Sequence, residues 1–228
     1  MTAPIKIGVD ATFLQRDRRG MGRVLRSVLN EWKKSCPHEL VLLVKEKRHI
    51  AELEDSPYSK WDIRVWNQAD DIQVCWFPWN RVDWELDCPH AVTIYDVAPF
   101  TDFHPQNRHL GDDQARLLNA AQKADRIITT SNFSRIEMHR HLNCDISQID
   151  VFHLGYDPVF HAHSNQYLDP FFAERIGSEP YILFVGNTEP RKNLAGLLEA
   201  FMLLENQVES RLLLVSQKPS APTWTDRL

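Results

Sequence analysis

Two short segments of the chain carry residues that could bind phosphate groups. In the first, RRGMGRVLRSVL, Gly20 and Gly22 open a helical pattern that follows an apolar run ending at Asp10. The free amide groups and the dipole at a helix N-terminus attract an anion, so a phosphate could bind at this turn. The dinucleotide-binding fingerprint does not fit, because Leu25 stands where that turn needs a third glycine. A second explanation stays open, in which the glycines serve only an unusual backbone conformation.

The second segment, VGNTEPRKN, joins the end of an apolar run to the start of another helical pattern. Pro190 restricts the turn, and Arg191 and Lys192 follow it near the predicted N-terminus of the helix. A cation at that place is unfavourable beside the helix dipole unless it binds an anion. Lys192 and Arg191 are therefore predicted phosphate ligands through charge-assisted hydrogen bonds, with a merely solvated position for Lys192 as the alternative.

Polar residues also follow two other predicted strands. Tyr95 and Asp96 end the run AVTIYD, and Ser131 and Asn132 follow RIITT. A tyrosine has an ordinary pKa of about 10, so Tyr95 can hydrogen-bond a sugar hydroxyl but does not take up a proton near neutral pH. Asp96 is then the carboxylate expected nearest to a reaction. Ser131 and Asn132 either face a ligand or cap the helix that follows them.

Tryptophan is concentrated between residues 61 and 84. The five positions are Trp61, Trp66, Trp76, Trp79 and Trp84. Aromatic rings stack on the apolar faces of sugars, so Trp79 and Trp84, with Asn80 and Arg81 beside them, are candidates for an acceptor-sugar site. The alternative is packing in the core, which is favoured for the first three tryptophans and stays open for Trp79.

The elements that position these residues alternate between short apolar strands and amphipathic helices. Strands are predicted at IKIGV, LVLLV, IRVW, IQVCWF, AVTIYD, RIITT and IDVFHL. A first helix follows Gly20, and later helices are predicted over about 107–124 and 132–143. This alternation predicts an α/β fold with a mostly parallel sheet between helix layers, and ligands bind such sheets at the carboxyl ends of the strands.

The pattern changes at about residue 155. Residues 155–179 are polar and rich in turn formers, which predicts a linker with a short helix near 170–175. A further βαβ unit follows, with strands at YILFVG and RLLLV around a helix whose apolar stripe is Leu194, Leu197, Leu198, Phe201 and Leu204. The predicted organisation is an α/β domain over 1–154 and, over 180–228, the start of a second α/β domain, which we expect to be incomplete.

Composition excludes several classes of function. Of the 228 residues 43% are hydrophobic and 25% are charged, as in ordinary globular proteins. The net charge is −5 and the basic residues are scattered, so nucleic acid is not an expected partner. The sequence shows neither a signal peptide nor the roughly 20 apolar residues of a membrane span, which predicts a cytoplasmic protein.

Cysteine and histidine give no sign of a metal site. The four cysteines are widely spaced, and reduced, mostly buried thiols are expected at Cys36, Cys75, Cys88 and Cys144. His139 and His141 lie two apart on a predicted helix and so point to opposite faces, while His161 and His163 fall in the predicted linker. We therefore predict that the protein binds no metal.

Four segments together carry a resemblance to a known family. They are IGVDATFLQRDRRGMGRVLRSVL, VTIYDVAPFTDFHP, ADRIITTSNFSRIEMHRHLNCDISQIDVFHLGYDPVF and PYILFVGNTEPRKNLAGLLEAF. In this order the chain resembles the GT-B glycosyltransferases of retaining family 4, especially the mannosyltransferase-like members of bacterial polysaccharide assembly. The resemblance implies two Rossmann-like domains across a cleft, the C-terminal one holding a nucleotide-sugar donor and the N-terminal one the acceptor.

The resemblance also implies roles for individual residues. Gly20 and Gly22 match the turn that lies against the donor diphosphate, and Lys192 matches the family's diphosphate lysine. Many relatives carry an arginine where this chain has Asn187, and Arg191 is the expected substitute. Family members often have His-Asp where this chain has Tyr95-Asp96. Enzymes of this fold are generally metal-independent, and no cofactor is expected besides the nucleotide-sugar substrate.

The expected activity is therefore retaining transfer of a hexose, mannose from a GDP-linked donor, to a glycan or lipid-linked acceptor. Peripheral contact with the inner face of the membrane is compatible with this activity. The family's carboxylate pair for the nucleotide ribose and donor sugar has no counterpart in the 228 residues, so the chain is expected to be inactive alone. The alternative is a non-catalytic acceptor-binding protein, or one subunit of a split enzyme whose C-terminal half is a separate chain.

Overall fold

The computed structural model describes residues 3–85, 87–101, 110–160, 179–204 and 207–216, together with residues 170, 174, 176 and 177. The chain divides into two compact units, and the main break falls after Gly155. The helix predicted near residues 170–175 lies almost wholly outside the described residues, as do His161 and His163.

A sheet of parallel strands forms the first unit. Its strands are Lys6–Asp10 (β1), Glu39–Val44 (β2), Asp62–Val65 (β3), Val74–Phe77 (β4), His90–Thr93 (β5), Arg126–Thr129 (β6) and Ile149–Val151 (β7). They lie in the order β3-β2-β1-β4-β5-β6-β7, and each neighbouring pair is parallel. The order reverses between β1 and β4, and doubly wound sheets bind ligands at the carboxyl edge beside such a reversal.

Helices connect the strands of this sheet. They are Gly20–Ser35 (α1), Lys47–Glu54 (α2), Leu110–Lys123 (α3) and Asn132–Leu142 (α4). Leu25 and Leu29 lie one turn apart on α1 and are fully buried, as the apolar stripe predicts. α4 ends at Asn143, whose φ of 54° is the left-handed conformation that commonly closes a helix.

The core lies on both faces of the sheet. In β2 Leu42 packs into one hydrophobic cluster and Leu43 into the other, because successive side chains of a strand point to opposite faces. This explains the continuous apolar run LVLLV, which is typical of a strand covered on both sides. Burying each such side chain contributes about 1.5–3 kcal/mol.

The second unit contains a single βαβ element within the described residues. Its parts are the strand Tyr181–Val185 (β8), the helix Leu194–Leu203 (α5) and the strand Arg211–Val215 (β9). The two strands pair in parallel, with Tyr181 opposite Arg211. Apolar side chains of β8 remain in contact with solvent; Val185 is 69% exposed.

The α/β, Rossmann-like fold predicted from the sequence is confirmed, and each of the predicted strands is present. One helix of the structure, α2, was not predicted, because the sequence between β2 and β3 indicates no helix. Its sequence, KRHIAELE, is short and mostly polar, and only His49 and Leu53 are buried. Eight residues with so few apolar positions give no clear helical period.

Candidate functional site

The loop between β1 and α1 packs tightly against the first turn of the helix. Nη1 of Arg26 donates to the carbonyl oxygens of Leu14 and Asp17, both at 2.8 Å. A Cβ atom on Gly22 would lie 1.8 Å from the carbonyl oxygen of Asp17, whereas one on Gly20 would meet no atom within 4 Å. Neither glycine has a positive φ, so close approach of the loop, not an unusual conformation, requires glycine at position 22.

The N-terminus of α1 has no side-chain cap. The side chain of Arg19, which precedes the helix, makes no capping hydrogen bond with it, and the first turn contains no acidic residue. Asp17, the nearest carboxylate in the loop, instead accepts a hydrogen bond from the backbone of Arg19 at 2.7 Å. The first amides of the helix therefore have no side-chain acceptor among the described residues, and anion binding at this turn stays a prediction.

Trp79 lies in the core beside this loop. It is 4% exposed, its Nε1 donates to the carbonyl oxygen of Asp10 at 2.8 Å, and its ring meets Phe13 edge to face at 5.7 Å. Trp84 is 5% exposed and packs against Phe77. In this structure neither indole ring has a face open to a sugar. The structure therefore favours packing in the core over sugar stacking for both tryptophans.

Asn80 and Arg81 lie at the carboxyl edge of the sheet, beside the reversal of strand order. The backbone amide of Asn80 donates to Thr93 at 3.0 Å, and its side-chain oxygen accepts from the amide of Tyr95 at 2.9 Å. Its φ is 59°, a conformation that asparagine tolerates better than most residues. Arg81 donates to Asp83 at 2.7 Å and lies over the ring of Phe13. Both residues therefore lie at the carboxyl edge of the sheet, and their role as acceptor ligands stays a prediction.

Tyr95 and Asp96 follow β5 at the same edge. Burial, reinforced by the charge of Asp17, raises the pKa of Tyr95 to about 12, so the phenol stays protonated at neutral pH. Its hydroxyl is buried and has no hydrogen-bond partner among the described residues. Asp96 is exposed, and one carboxylate oxygen accepts from the amide of Ala98 at 3.0 Å. The accessible carboxylate of Asp96 is suited to binding sugar hydroxyls, whereas the buried hydroxyl of Tyr95 is not accessible to a ligand in this structure.

Ser134 connects α4 to Tyr95, a role that the sequence analysis missed. Its hydroxyl donates to the carbonyl oxygen of Tyr95 at 2.9 Å, and its amide donates to the hydroxyl of Ser131 at 3.0 Å. Ser131 is thus an N-cap, which is one of its two predicted roles. Asn132 is exposed in the first turn of the helix. The spacing of the two serines in SNFS was the available signal, because an N-cap bonds to the third helical amide.

Ser131→Ala is expected to lower the free energy of unfolding by about 0.5–2 kcal/mol, because the amide of Ser134 loses its cap. Urea denaturation measures this change. Asn132→Ala is the matched control and should stay within about 0.5 kcal/mol of the wild type, as surface substitutions usually do. Equal stability of the Ser131 variant and the wild type would contradict the assigned cap.

Asp10 is a second residue that the sequence analysis did not assign to the site. It is fully buried at the end of β1, and one carboxylate oxygen accepts from the amide of Thr12 at 2.9 Å. Burial raises its pKa to about 7; the hydrogen bond from Thr12 opposes this rise and the charge of Asp83 adds to it. A charged residue directly after a buried apolar run was the signal for it in the sequence.

In the second unit, Lys192 and Arg191 lie in a short 3-10 helix just before α5. Lys192 is exposed and has no ion-pair partner among the described residues. Arg191 donates to Glu189 at 2.7 Å, and Asn187 donates to the same carboxylate. Lys192 is therefore free to bind an anion near the start of α5, whereas much of the charge of Arg191 is already balanced by Glu189.

The described residues contain neither a cluster of metal ligands nor a helix that could span a membrane. No three or more histidine, cysteine, aspartate or glutamate side chains there are grouped closely enough to hold a metal ion. In the same part of the chain, no helix combines the length and the apolar character needed to cross a bilayer. All four cysteines are free; Cys75 and Cys144 are buried, while Cys36 and Cys88 are half-buried.

Comparison with known proteins relates the chain to glycosyltransferases. No family model matches it. A curated relative, the O-antigen chain mannosyltransferase B of Escherichia coli, is 30% identical over 128 residues, which cover 55% of this chain and 33% of the relative. This chain therefore matches about a third of the length of that protein.

Solved structures share the fold. The crystal structure of Anabaena Alr3699/HepE in complex with UDP matches with a TM-score of 0.60 and 11% identity, over 94% of this chain and 62% of that protein. A glycosyltransferase from Rickettsia africae matches more weakly, with a TM-score of 0.46 and 12% identity over 94% of this chain and 69% of its own. Because the sequence identity to Anabaena HepE is 11%, the structural likeness shows a shared Rossmann-like fold and nothing about function.

Proposed function

We propose that this chain is part of a GT-B glycosyltransferase that transfers mannose from a nucleotide-sugar to a glycan or lipid-linked acceptor. The observation that carries the proposal is the 30% identity to a mannosyltransferase of O-antigen synthesis. The fold shared with a UDP-bound protein supports a nucleotide-sugar substrate. In this proposal residues 1–154 form the acceptor-side domain, and residues 180–228 belong to the domain that binds the donor.

One element in each unit is proposed as a phosphate-binding group, each on its own observation. The uncapped N-terminus of α1 offers the amides of Gly20 and Gly22, and Gly22 lets the loop approach the helix closely. Lys192 offers an exposed ammonium group before α5, with no ion-pair partner in the part of the chain that the structure describes. Backbone amides at a helix N-terminus and a lysine side chain are both well suited to phosphate oxygens.

The acceptor is assigned to the carboxyl edge of the sheet. Asn80 and Arg81 border this edge, and Tyr95 and Asp96 follow the next strand. Asp96 is exposed and can accept a hydrogen bond from an acceptor hydroxyl, whereas the hydroxyl of Tyr95 is buried. These contacts would hold the acceptor in a reactive orientation. Such positioning raises the rate because it lowers the entropic cost of the transfer step.

The chemical step is proposed to proceed with retention and without a protein nucleophile. The bond between the anomeric carbon and the leaving phosphate oxygen breaks, and the acceptor oxygen attacks from the same face of the sugar. The proton of the acceptor hydroxyl passes to the leaving diphosphate. The departing negative charge needs stabilisation by the protein, and the α1 amides in the first unit and Lys192 in the second are each proposed for that role.

Amide hydrogen exchange tests the proposal. GDP-mannose should slow exchange at Gly20, Met21 and Gly22 in the full-length gene product, because the bound phosphate accepts hydrogen bonds from these amides. Guanosine, which has no phosphate, is the matched control and should leave them unchanged. Protection of other residues by GDP-mannose with no change at these three amides would overturn the assignment of the α1 turn.

A further inference from the structure

The backbone of Tyr95 forms hydrogen bonds with side chains from both sides of its strand. Tyr95 lies two residues beyond the end of β5, which pairs with β4 on one side and with β6 on the other. From the loop after β4, the side-chain oxygen of Asn80 accepts from the amide of Tyr95 at 2.9 Å. From α4, which follows β6, the hydroxyl of Ser134 donates to the carbonyl oxygen of Tyr95 at 2.9 Å. Side chains therefore satisfy both backbone polar groups of Tyr95.

Asn80 reproduces the hydrogen bonds of a residue in a parallel strand. Such a residue donates its amide to one residue of the partner strand and accepts from the amide two residues further along. The amide of Asn80 donates to the carbonyl oxygen of Thr93 at 3.0 Å, and its side-chain oxygen accepts from Tyr95. The side-chain carbonyl thus replaces the main-chain carbonyl of a strand residue. The hydrogen bonding of β5 thereby continues beyond the end of β4 at Phe77.

The backbone conformation of Asn80 explains why its side chain supplies this acceptor. Its φ is 59°, whereas residues of parallel strands have a φ of about −120°. The main chain therefore does not continue as a strand at this residue. Asparagine adopts the left-handed conformation more readily than most residues, because its short polar side chain forms local hydrogen bonds. Residues held in this conformation are concentrated at functional sites, so Asn80 is a candidate for a role there.

The carboxylate of Asp96 follows directly after this doubly bonded residue. Asp96 is exposed, and one of its carboxylate oxygens accepts from the amide of Ala98 at 3.0 Å. Further along the same loop, Nε2 of Gln114, in α3, donates to the carbonyl oxygen of Pro99 at 2.7 Å. The backbone is therefore held on both sides of Asp96. A carboxylate on a fixed backbone loses less conformational entropy when it binds a ligand.

We propose that Asn80 and Ser134 are positioning residues, which hold the backbone of Tyr95 from both sides and thereby fix Asp96 for contact with the acceptor. The side-chain oxygen of Asn80 is bonded to Tyr95, and Ser134 is 8% exposed, so neither group is free to bind a sugar. That Asp96 contacts an acceptor hydroxyl rests on the proposed function. The two hydrogen bonds to Tyr95 do not, because they form without a ligand.

Amide hydrogen exchange of the full-length gene product without ligand tests the bond between Tyr95 and Asn80. Asn80→Gly should speed exchange at the Tyr95 amide by at least about tenfold, because glycine adopts a positive φ freely but has no side-chain oxygen. Asn80→Asp should keep the slow exchange of the wild type, since a carboxylate oxygen accepts the same hydrogen bond. Unchanged exchange at Tyr95 in Asn80→Gly would overturn the proposal.

Asn143 provides the matched control for this substitution. It also has a positive φ, 54°, but it is exposed, and its side chain forms no hydrogen bond among the described residues. Asn143→Gly therefore makes the same replacement in the same backbone conformation and should leave exchange at Tyr95 unchanged. An equal acceleration at Tyr95 in both variants would contradict the specific role of Asn80.

A double-mutant cycle on mannose transfer separates the positioning of Asp96 from a general contribution to stability. Asn80→Gly and Ser134→Ala should each lower kcat by at least about tenfold, since displaced groups lose most of their benefit to the rate, and Asn80→Asp should keep most of it. In the Asp96→Ala background neither substitution should lower kcat much further, because no carboxylate remains to be positioned. Effects as large in that background as in the wild type would overturn the positioning role.

The two experiments distinguish this proposal from the proposed function. Exchange at Tyr95 involves no nucleotide-sugar, so it decides whether Asn80 holds Tyr95 whether or not the protein transfers mannose. Absence of transfer by the wild type would overturn the proposed function and, with it, the acceptor role of Asp96. Normal transfer by Asn80→Gly and Ser134→Ala would overturn the positioning role and leave the proposed function standing.

Discussion

Gly22→Ala is expected to lower the free energy of unfolding by about 3 kcal/mol or more. The new Cβ would lie 1.8 Å from the carbonyl oxygen of Asp17, and the backbone there cannot rotate away as a side chain could. Relief requires the loop to move off α1, which breaks the two hydrogen bonds that Arg26 donates to it. Overpacking typically costs about 1–3 kcal/mol, and loss of bonds from a charged group adds to it.

Chemical denaturation of Gly22→Ala and Gly20→Ala measures this effect against a matched control. Gly20 begins the same helix, yet a Cβ there meets no atom within 4 Å. Its replacement should leave stability unchanged or raise it by up to about 1 kcal/mol, because alanine loses less backbone entropy than glycine. Similar stabilities of the two variants would contradict the close packing of the loop on α1.

Lys192→Ala is expected to slow mannose transfer by about tenfold to a hundredfold in the full-length gene product. A hydrogen bond to a charged group contributes about 1.5–3 kcal/mol, and each tenfold in rate or affinity corresponds to about 1.4 kcal/mol. Lys192 is exposed and has no ion-pair partner among the described residues, so the substitution removes no packing. The melting temperature should therefore not change.

Arg191→Ala provides the comparison for Lys192. From the sequence, Arg191 is expected to supply a second positive charge to the phosphate. In the structure its guanidinium forms an ion pair with Glu189. We therefore expect its replacement to slow transfer less than Lys192→Ala does. Equal rates for the wild type and Lys192→Ala would contradict the phosphate role of the lysine, and a larger effect of Arg191→Ala would assign that role to the arginine.

The fold could be predicted from the sequence because its strands are apolar on both faces. Runs such as LVLLV have few alternatives to a buried parallel strand. α2 could not be predicted, since a short helix with two buried side chains is formed mainly through its packing on the sheet. Local sequence carries little information about an element of that kind.

The candidate site was predicted less completely. The start of a helix depends on local backbone geometry, so the positions of Gly22, Ser131 and Lys192 at or near helix N-termini could be predicted from their neighbours in the sequence. The burial of Trp79 depends on Phe13 and Asp10, which are more than sixty residues away in the chain. The full burial of Asp10 beside the same loop likewise follows from no spacing in the sequence.

The central claim, that the chain belongs to a mannosyltransferase, is tested most directly by transfer of labelled mannose from GDP-mannose. The assay combines the full-length gene product with membranes that contain lipid-linked glycan acceptors, and the product is analysed by nuclear magnetic resonance for its anomeric configuration. The account predicts mannose in the glycan fraction with the configuration of the donor retained. Absence of transfer from GDP-mannose, or a product of inverted configuration, would contradict it.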